Sequence, residues 1–434
     1  MSELFNFLGD QKTTSTLPEQ WQNTYMINIP SNSNAHDTPV FAELSNKYNF
    51  PRTPLLSSDW NPTDQHTTDQ VDTITKVVGG GAYKVEYYLF LGQSGRFYLK
   101  QYNNAQQCEW CGDLKDGWMW VDFSAMARNY CATTNGQHVD AVIRDVHATA
   151  LGVVVVCKDL RVFFVSLLNQ TIQITKMFDY GSRRLSAVSH SMMGSRIMLA
   201  SGGGPIEVFD IESKTSSHVP VRYNILSEPK FMGCFHENCD IMVSKHNEIY
   251  VRAKRNSYGV GDERNDDSFN LVRADLDAPI IDLKTGYSHY VVLLSNGKVF
   301  AHGFNSLCQC GVPHSIESVT NPTQMLLPSQ VEDSFVTGIW CASRGTVLRT
   351  RRELIFYGEK VDTYQNAISF GDIKYVLVIP LDESVEVDIA TKPWSYIIYG
   401  RLRNQKSLMY FQENMKKFST EMHFGGDVTV GCFM

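Results

Sequence analysis

The sequence contains no long hydrophobic run. Its longest unbroken apolar stretch, LGVVVVC at residues 151–157, has seven residues, whereas a membrane-spanning helix needs about 20. The first residues, MSELFNFLGD, do not have the basic-then-apolar order of a secretory signal peptide. The sequence therefore predicts a protein that does not enter a membrane and lies in the cytoplasm. A cytoskeletal location fits this prediction, and a nuclear one stays open.

Cysteine is scarce, with ten residues in a chain of 434. A disulfide scaffold contains far more, so the sequence predicts reduced thiols. Cys108 and Cys111 form a CxxC pair, but a structural zinc site needs a second pair at a suitable spacing. Cys131 and His138 lie downstream and do not form one. No metal site is therefore predicted.

Catalytic signatures are also missing, because neither GxSxG nor HExxH occurs. The glycine clusters GGGAYK (79–84) and SGGGP (201–205) lack the GK[ST] ending of a phosphate-binding loop. They are better explained as tight turns between strands. The sequence thus predicts no enzyme, no catalytic residue and no cofactor.

Neither sign of charge dominates: 39 basic residues stand against 46 acidic ones, and the net charge is −7. This balance disfavours a nucleic-acid partner. The basic residues form three short groups, and solvated loops are their default interpretation. If the groups met on one face, they would form a docking patch for an acidic partner. The groups are Arg349, Arg351 and Arg352; Arg252, Lys254 and Arg255; and Arg401, Arg403 and Lys406.

The composition changes near residue 70. Residues 1–70 hold six of the 15 prolines but only one of the 30 glycines, which is typical of an extended arm. From residue 71, short runs rich in Val, Ile, Tyr and Phe alternate with turn signals, as in strands. We therefore predict an N-terminal arm at 1–70, an all-β domain at 71–418 and a C-terminal tail at 419–434. The arm could donate a strand to the domain from residues 24–29 or 40–44.

A repeated unit is clearest at residues 280–311. Asn296 and Gly297 lie between two apolar strands, and Asn-Gly is the strongest short hairpin signal because both turn residues take positive φ. Other glycines and polar residues mark the unit at fixed positions: Gly286, His289, Gly303, Asn305, Gln309 and Gly311. A partial copy at 233–262 keeps Gly233 and His236, and another at 339–358 keeps Gly358.

Weaker copies extend the series to seven. Their second-hairpin strands are marked by Phe97, Val162, Val208, Ile249, Val299, Leu354 and Met409, so the mean spacing is about 52 residues. Repeats of this length indicate stacked units that cannot bury their faces alone.

The unit at 280–311 resembles the repeat of the regulator of chromosome condensation family. Gly286, His289, Gly297, Gly303, Asn305, Gln309 and Gly311 match that pattern, whereas Cys308 stands where the family has a glycine. The resemblance implies a seven-bladed β-propeller with four-stranded blades. In such a repeat the histidine has a structural role, bonded into the backbone. A catalytic role would need a nucleophile or carboxylate partner that the sequence does not place.

Three functions follow as hypotheses. The first is a non-catalytic scaffold or structural component of a multi-protein assembly, such as a filament or microtubule-bound one, that binds proteins through its faces and termini. The second, implied by the resemblance, is guanine-nucleotide exchange on a small GTPase. The third is an enzymatic or sugar-binding propeller, which needs polar residues converging on a central channel. The sequence shows no clear set of such residues.

Overall fold

The structure is a computed structural model that describes part of the chain. The described residues are 24–29, 74–82, 85–92, 95–102, 118–135, 141–167, 172–179, 185–190, 195–201, 206–219, 229–235, 239–253, 269–272, 274–358, 368–381, 385–392, 395–402 and 429–433.

Nearly all described elements are β-strands. The first is β1 (Thr24–Ile29). Sheet 1 contains β2 (Ile74–Ala82), β3 (Val85–Gly92), β4 (Arg96–Tyr102) and β5 (Trp118–Asp122), and the helix α1 (Phe123–Asn135) follows it. Sheet 2 contains β6 (Ile143–Ala148), β7 (Gly152–Cys157), β8 (Val162–Ser166) and β9 (Gln173–Phe178). Sheet 3 contains β10 (Leu185–His190), β11 (Arg196–Ser201), β12 (Ile206–Asp210) and β13 (Thr215–Val219).

The later sheets continue in chain order. Sheet 4 contains β14 (Pro229–Phe235), β15 (Cys239–Ser244), β16 (Ile249–Ala253) and β17 (Asn270–Val272). Sheet 5 contains β18 (Ile280–Thr285), β19 (His289–Leu294), β20 (Val299–Phe304) and β21 (Ser318–Gln324). Sheet 6 contains β22 (Gly338–Ala342), β23 (Gly345–Arg349), β24 (Glu353–Gly358), β25 (Ile368–Phe370) and β26 (Ile373–Pro380). Sheet 7 contains β27 (Val385–Lys392) and β28 (Ser395–Leu402), together with β1 and β29 (Thr429–Phe433).

These sheets form a β-propeller. Within sheets 1 to 5, consecutive strands pair antiparallel in chain order. The first strand of each sheet contacts the first strand of the next, and β27 contacts β2. A ring of this kind protects the edges of the innermost strands.

The predicted number of four-stranded blades was wrong by one. Among the described residues, six sheets have four strands, whereas sheet 6 has five, in the order β22-β23-β24-β26-β25. The extra strand arises because β25 turns back at Gly371 and pairs with β26 before the chain pairs with β24.

Sheet 7 joins the two ends of the chain. Strand β1 lies between β28 and β29 and is antiparallel to both. Residues 24–29 are one of the two segments from which a donated strand was predicted, and the other, 40–44, lies outside the described residues. The predicted boundary at residue 419 set the tail apart, but β29 belongs to this sheet.

The strand markers of the repeat lie where the sequence placed them in six cases. Phe97, Val162, Val208, Ile249, Val299 and Leu354 lie in β4, β8, β12, β16, β20 and β24, the third strands of sheets 1 to 6. The seventh marker, Met409, lies outside the described residues. The third strand of sheet 7 is instead β1, which comes from the other end of the sequence.

The core consists of hydrophobic clusters between neighbouring sheets. In β7, Val153 and Val155 pack towards sheet 1, while Val154 and Val156 pack towards sheet 3. Both faces of this strand are buried, so it is an unbroken apolar run rather than an alternating one.

Helix α1 lies against sheets 1 and 2. Its Phe123, Ala127 and Cys131 form a buried stripe at helical spacing. The Asp122 carboxylate accepts a hydrogen bond from the Ala125 N–H at 2.9 Å and caps the N-terminus. No helix among the described residues is long and apolar enough to cross a membrane.

Candidate functional site

His289 joins sheet 5 to sheet 6. Its imidazole is fully buried beneath Gly286, where an added Cβ would lie 2.3 Å from the ring carbon Cε1. The Thr346 hydroxyl of β23 donates to the Gln309 carbonyl oxygen at 2.7 Å. Because the hydroxyl proton is used in this way, the Thr346 Oγ1 accepts a hydrogen bond from the Nε2–H of His289, and the two atoms are 2.9 Å apart. Burial lowers the pKa of His289 to about 4, so the ring is neutral at neutral pH.

Asn305 organises the loop after β20. Its amide nitrogen donates to the carbonyl oxygens of Pro313 and Ile316 at 3.1 and 2.8 Å, and its amide oxygen accepts from the Cys310 N–H at 3.0 Å. Gln309, also fully buried, accepts from the Leu307 N–H at 2.9 Å. These bonds satisfy backbone groups of a buried loop, which accounts for Asn and Gln at these positions.

Three glycines of the repeat provide turns and close approaches. Gly297 takes φ +81° in the hairpin turn, and Gly311 takes φ +60° in the following loop. Gly303 takes φ +117°, and its added Cβ would lie 2.5 Å from the Ser288 carbonyl oxygen. Gly358 has the same role in sheet 6, with φ +107° and the Arg344 carbonyl oxygen 2.2 Å from its added Cβ.

The position of Gly233 differs from the one inferred from the motif. Pairing of β14 with β15 places Phe235, not Gly233, at the register position of Gly286, and Cys239 at that of His289. Gly233 instead lies within β14, where an added Cβ would meet the Thr285 side chain at 2.3 Å. The sequence alignment was wrong because the copies differ in turn length. His236 lies outside the described residues.

Two other sheets make the same junction with different side chains. Tyr87 of sheet 1 pairs with Gly80, as His289 does with Gly286, and its hydroxyl donates to the Thr149 and Gly152 carbonyl oxygens of sheet 2 at 2.9 and 2.5 Å. Arg196 holds this position in sheet 3 and binds Asp240 of sheet 4, with Nη2 3.2 Å from Oδ1. The divergent repeats therefore keep the position of the junction but use different side chains to form it.

We expect Thr346→Val to lower the free energy of unfolding by about 1–3 kcal/mol, because it leaves the buried His289 N–H and Gln309 carbonyl without their shared partner. Urea unfolding measures the loss. Thr323→Val is the control, since Thr323 is exposed in β21. Equal stability of the two variants would contradict the junction described above.

A central channel of about 600 Å³ is lined by residues of the first strand of every sheet. Four cationic side chains reach it, Lys76, Arg144, Lys230 and Lys284, together with two carboxylates, Asp145 and Asp282. The described lining thus carries two more positive than negative charges. The third sequence hypothesis required polar residues converging here. The sequence alone shows no clear set of them, and the structure brings these residues together.

Contacts within the protein hold these charged side chains in place. Lys76 of β2 forms an ion pair with Asp145 of β6, and Lys284 lies 2.9 Å from Asp282 of its own strand. Lys230 donates to the Ile280 carbonyl oxygen at 2.6 Å, and its ammonium lies 5.3 Å from the centre of the Phe231 ring.

Two histidines complete the channel. The rings of His147 and His190, from β6 and β10, are 5.9 Å apart between centres. His147 Nε2 also lies 3.5 Å from Asp145 Oδ2. Burial lowers the pKa of His147 to about 4, and burial with nearby His147 and Lys76 lowers that of His190 to about 3. Both rings are therefore neutral at neutral pH.

Nothing in the sequence marks these residues, because they come from different copies of the repeat and lie one to three to a strand. A register alignment of the first strands would have found them. Lys76, Asp145 and Asp282 each follow the bulge of their strand, and His147 and Lys284 lie two residues further on.

The predicted basic patch is only partly described. Arg349, Arg351 and Arg352 lie at and beside the turn between β23 and β24, and Arg351 and Arg352 are exposed. Arg401 lies in β28 of another sheet, and Arg403 and Lys406 lie outside the described residues. In the remaining group, at residues 252–255, Arg252 is buried and donates from Nε to Asp240 Oδ2 at 2.8 Å. It therefore stabilises the core instead of forming a docking surface.

The described cysteines are consistent with a core role. Seven of them are buried and form no disulfide bond: Cys131, Cys157, Cys234, Cys239, Cys308, Cys310 and Cys341. Within the described ranges no group of three or more His, Cys, Asp or Glu side chains could hold a metal ion. The CxxC pair, Cys108 and Cys111, lies outside those ranges.

Radial four-stranded sheets, a channel lined by their first strands and side chains that join successive sheets define a β-propeller. No protein-family model matches the chain, and no curated protein is similar to it in sequence.

Solved structures share the fold. Yeast RCC1 (Prp20), in a crystal structure with Kap60, is 11% identical, with 94% of this chain and 98% of that chain covered and a TM-score of 0.61. Prp20p of Saccharomyces cerevisiae, in a study of its binding to Gsp1p and histones, is 11% identical, with 91% and 95% covered and a TM-score of 0.59. Human WBSCR16 is 13% identical, with 88% and 99% covered and a TM-score of 0.56. At these identities the likeness shows an RCC1-like propeller fold and nothing further.

Proposed function

We propose that this protein is a non-catalytic, protein-binding propeller in the cytoplasm, a scaffold in a multi-protein assembly such as a cytoskeletal one. We further propose that sheet 6 with its extra strand is the seventh blade of the ring. The observation that carries the binding proposal is a set of basic turns at one face.

The turns between second and third strands all lie at the same face, because the sheets share one strand order. Each such turn that the structure describes contains or adjoins at least one cation. They are Lys158 in sheet 2, Lys245 in sheet 4, Lys298 in sheet 5, and Arg351 and Arg352 in sheet 6. We call these five residues the basic face. The interaction surfaces of propellers are their wide faces, and this one suits an acidic protein partner.

Two cations of the basic face form ion pairs with carboxylates of the protein itself. Asp277 forms an ion pair with Lys298, and Glu332 lies 2.5 Å from Arg352 Nη1. Lys158, Lys245 and Arg351 are exposed at this face.

The test begins with affinity capture of partners on the full-length protein. Binding of each purified partner is then measured for the wild type and for Lys245→Glu/Arg351→Glu. We expect at least about tenfold weaker binding, because two attractive charges become repulsive.

Lys214→Glu is the matched control. Lys214 is equally exposed but lies in the turn between β12 and β13, a third-to-fourth-strand connection at the opposite face. The proposed face is wrong if Lys214→Glu weakens binding as much as the double variant does.

Guanine-nucleotide exchange on a small GTPase is the alternative. It is supported by the likeness to Prp20p, whose structure was studied together with its binding to Gsp1p. A nucleotide-release assay against a panel of small GTPases distinguishes the two. The scaffold proposal expects no stimulated release, and stimulated release would replace it.

A further inference from the structure

The described lining of the central channel carries more positive than negative charges, although the protein is acidic. The net charge of the chain is −7, yet the described channel lining has four cations against two carboxylates. The partly enclosed site also screens these charges less than open water would. This imbalance is independent of the basic face, and the inference below does not rest on the proposed function.

The cations converge from several sheets. Lys76, Lys230 and Lys284 come from the first strands of sheets 1, 4 and 5. An ammonium group has three N–H donors, whereas the contacts described above use only part of that capacity. Each lysine can therefore donate to a ligand without giving up its place in the channel.

We propose that the central channel binds a small polyanion with two or more phosphate or carboxylate groups. Its volume of about 600 Å³ falls within the range of small-molecule sites. The lysines of three sheets would each contact a separate anionic group, and Thr391, which also lines the channel, would supply a neutral donor.

The two channel histidines make binding sensitive to pH. The groups that face them are Asp145, Lys76, Arg144 and Lys284 for His147, and His147 and Lys76 for His190. Asp282 and Lys230 lie in the same channel. A bound anion favours the protonated imidazole, so binding is coupled to proton uptake by the complex.

The experiment is isothermal titration calorimetry on the full-length protein with inorganic tripolyphosphate and, separately, with citrate. Lys284→Gln and Lys230→Gln should each weaken binding about tenfold by removing a charged donor. Asp282→Asn should strengthen it severalfold, because it removes a repelling carboxylate. Lys214→Gln, in the exposed turn between β12 and β13, is the control and should leave the affinity unchanged. Titration in two buffers of different ionisation enthalpy measures the proton uptake.

The opposite effects on affinity that are expected of Lys284→Gln and Asp282→Asn distinguish ligand binding from a structural role. A purely structural role would make Lys284→Gln and Asp282→Asn weaken binding alike, and that result would overturn the proposal. Failure of both probes to bind the folded wild type would overturn it too. Binding of tripolyphosphate but not citrate would support it with phosphate as the ligand group, and the reverse would support it with carboxylate. Thermal unfolding of each variant confirms that it is folded.

Discussion

Replacing Asp240 with alanine is expected to lower the free energy of unfolding by about 3–5 kcal/mol. The Asp240 carboxylate is fully buried between two guanidinium groups, that of Arg196 from sheet 3 and that of Arg252 from its own sheet. Without it, two cations remain in the interior with no neutralising charge, and their desolvation is no longer offset. Urea or thermal unfolding measures the loss.

Two further variants define the origin of this effect. Asp277→Ala removes the exposed partner of Lys298, and solvent screening should leave stability nearly unchanged. Asp240→Ala/Arg252→Met also removes one of the two guanidinium groups that Asp240 neutralises, and it should recover part of the lost unfolding free energy. If Asp240→Ala were as stable as Asp277→Ala, the buried ion cluster would not hold sheets 3 and 4 together.

Gly303→Ala is expected to cost about 3 kcal/mol of unfolding free energy. Two penalties combine, because φ is +117° and the new Cβ would lie 2.5 Å from the Ser288 carbonyl oxygen and 2.8 Å from the His289 Cα. Both obstacles belong to the backbone. They cannot move away without breaking the bond from the Phe304 N–H to that carbonyl, which is 2.9 Å long.

Gly371→Ala is the matched control for this substitution. Gly371 also has positive φ, at +57°, but an added Cβ would meet nothing within 4 Å. It should cost only about 1 kcal/mol, from the backbone conformation alone. Gly358→Ala repeats the test in sheet 6 and should behave like Gly303→Ala. Equal losses at Gly371 and Gly303 would show that crowding contributes nothing.

Much of the fold could be predicted from the strand markers. They identified the third strand in six sheets because each hairpin carries its own local signal, a glycine turn between two apolar runs. The fifth strand of sheet 6 escaped prediction, since a three-residue strand with a mixed pattern gives no periodic signal. The composition of sheet 7 was only partly accessible, because its strands lie at opposite ends of the sequence and pair through long-range contacts.

The residues of the candidate site could be predicted from the sequence to a much smaller extent. His289 was interpreted as a structural residue bonded into the backbone. The structure places its ring beneath Gly286 and within hydrogen-bond distance of the Thr346 hydroxyl. Its counterparts Tyr87 and Arg196 could not be recognised, because they share a register position but no side-chain chemistry. Register depends on bulges and turn lengths, which also misled the placement of Gly233.

The sequence by itself determined an all-β protein of repeated hairpins, since glycine turns and buried apolar strands are local properties. It also determined what a local turn requires, such as positive φ at Gly297. Only the tertiary structure decided which residues meet. Ring geometry brings Lys76, Lys230 and Lys284 from three separate repeats to one channel, whose described lining has more positive than negative charges in a chain of net charge −7. Side chains about 50 or more residues apart carry no shared sequence signal, so their common site exists only when the sheets are arranged around one axis.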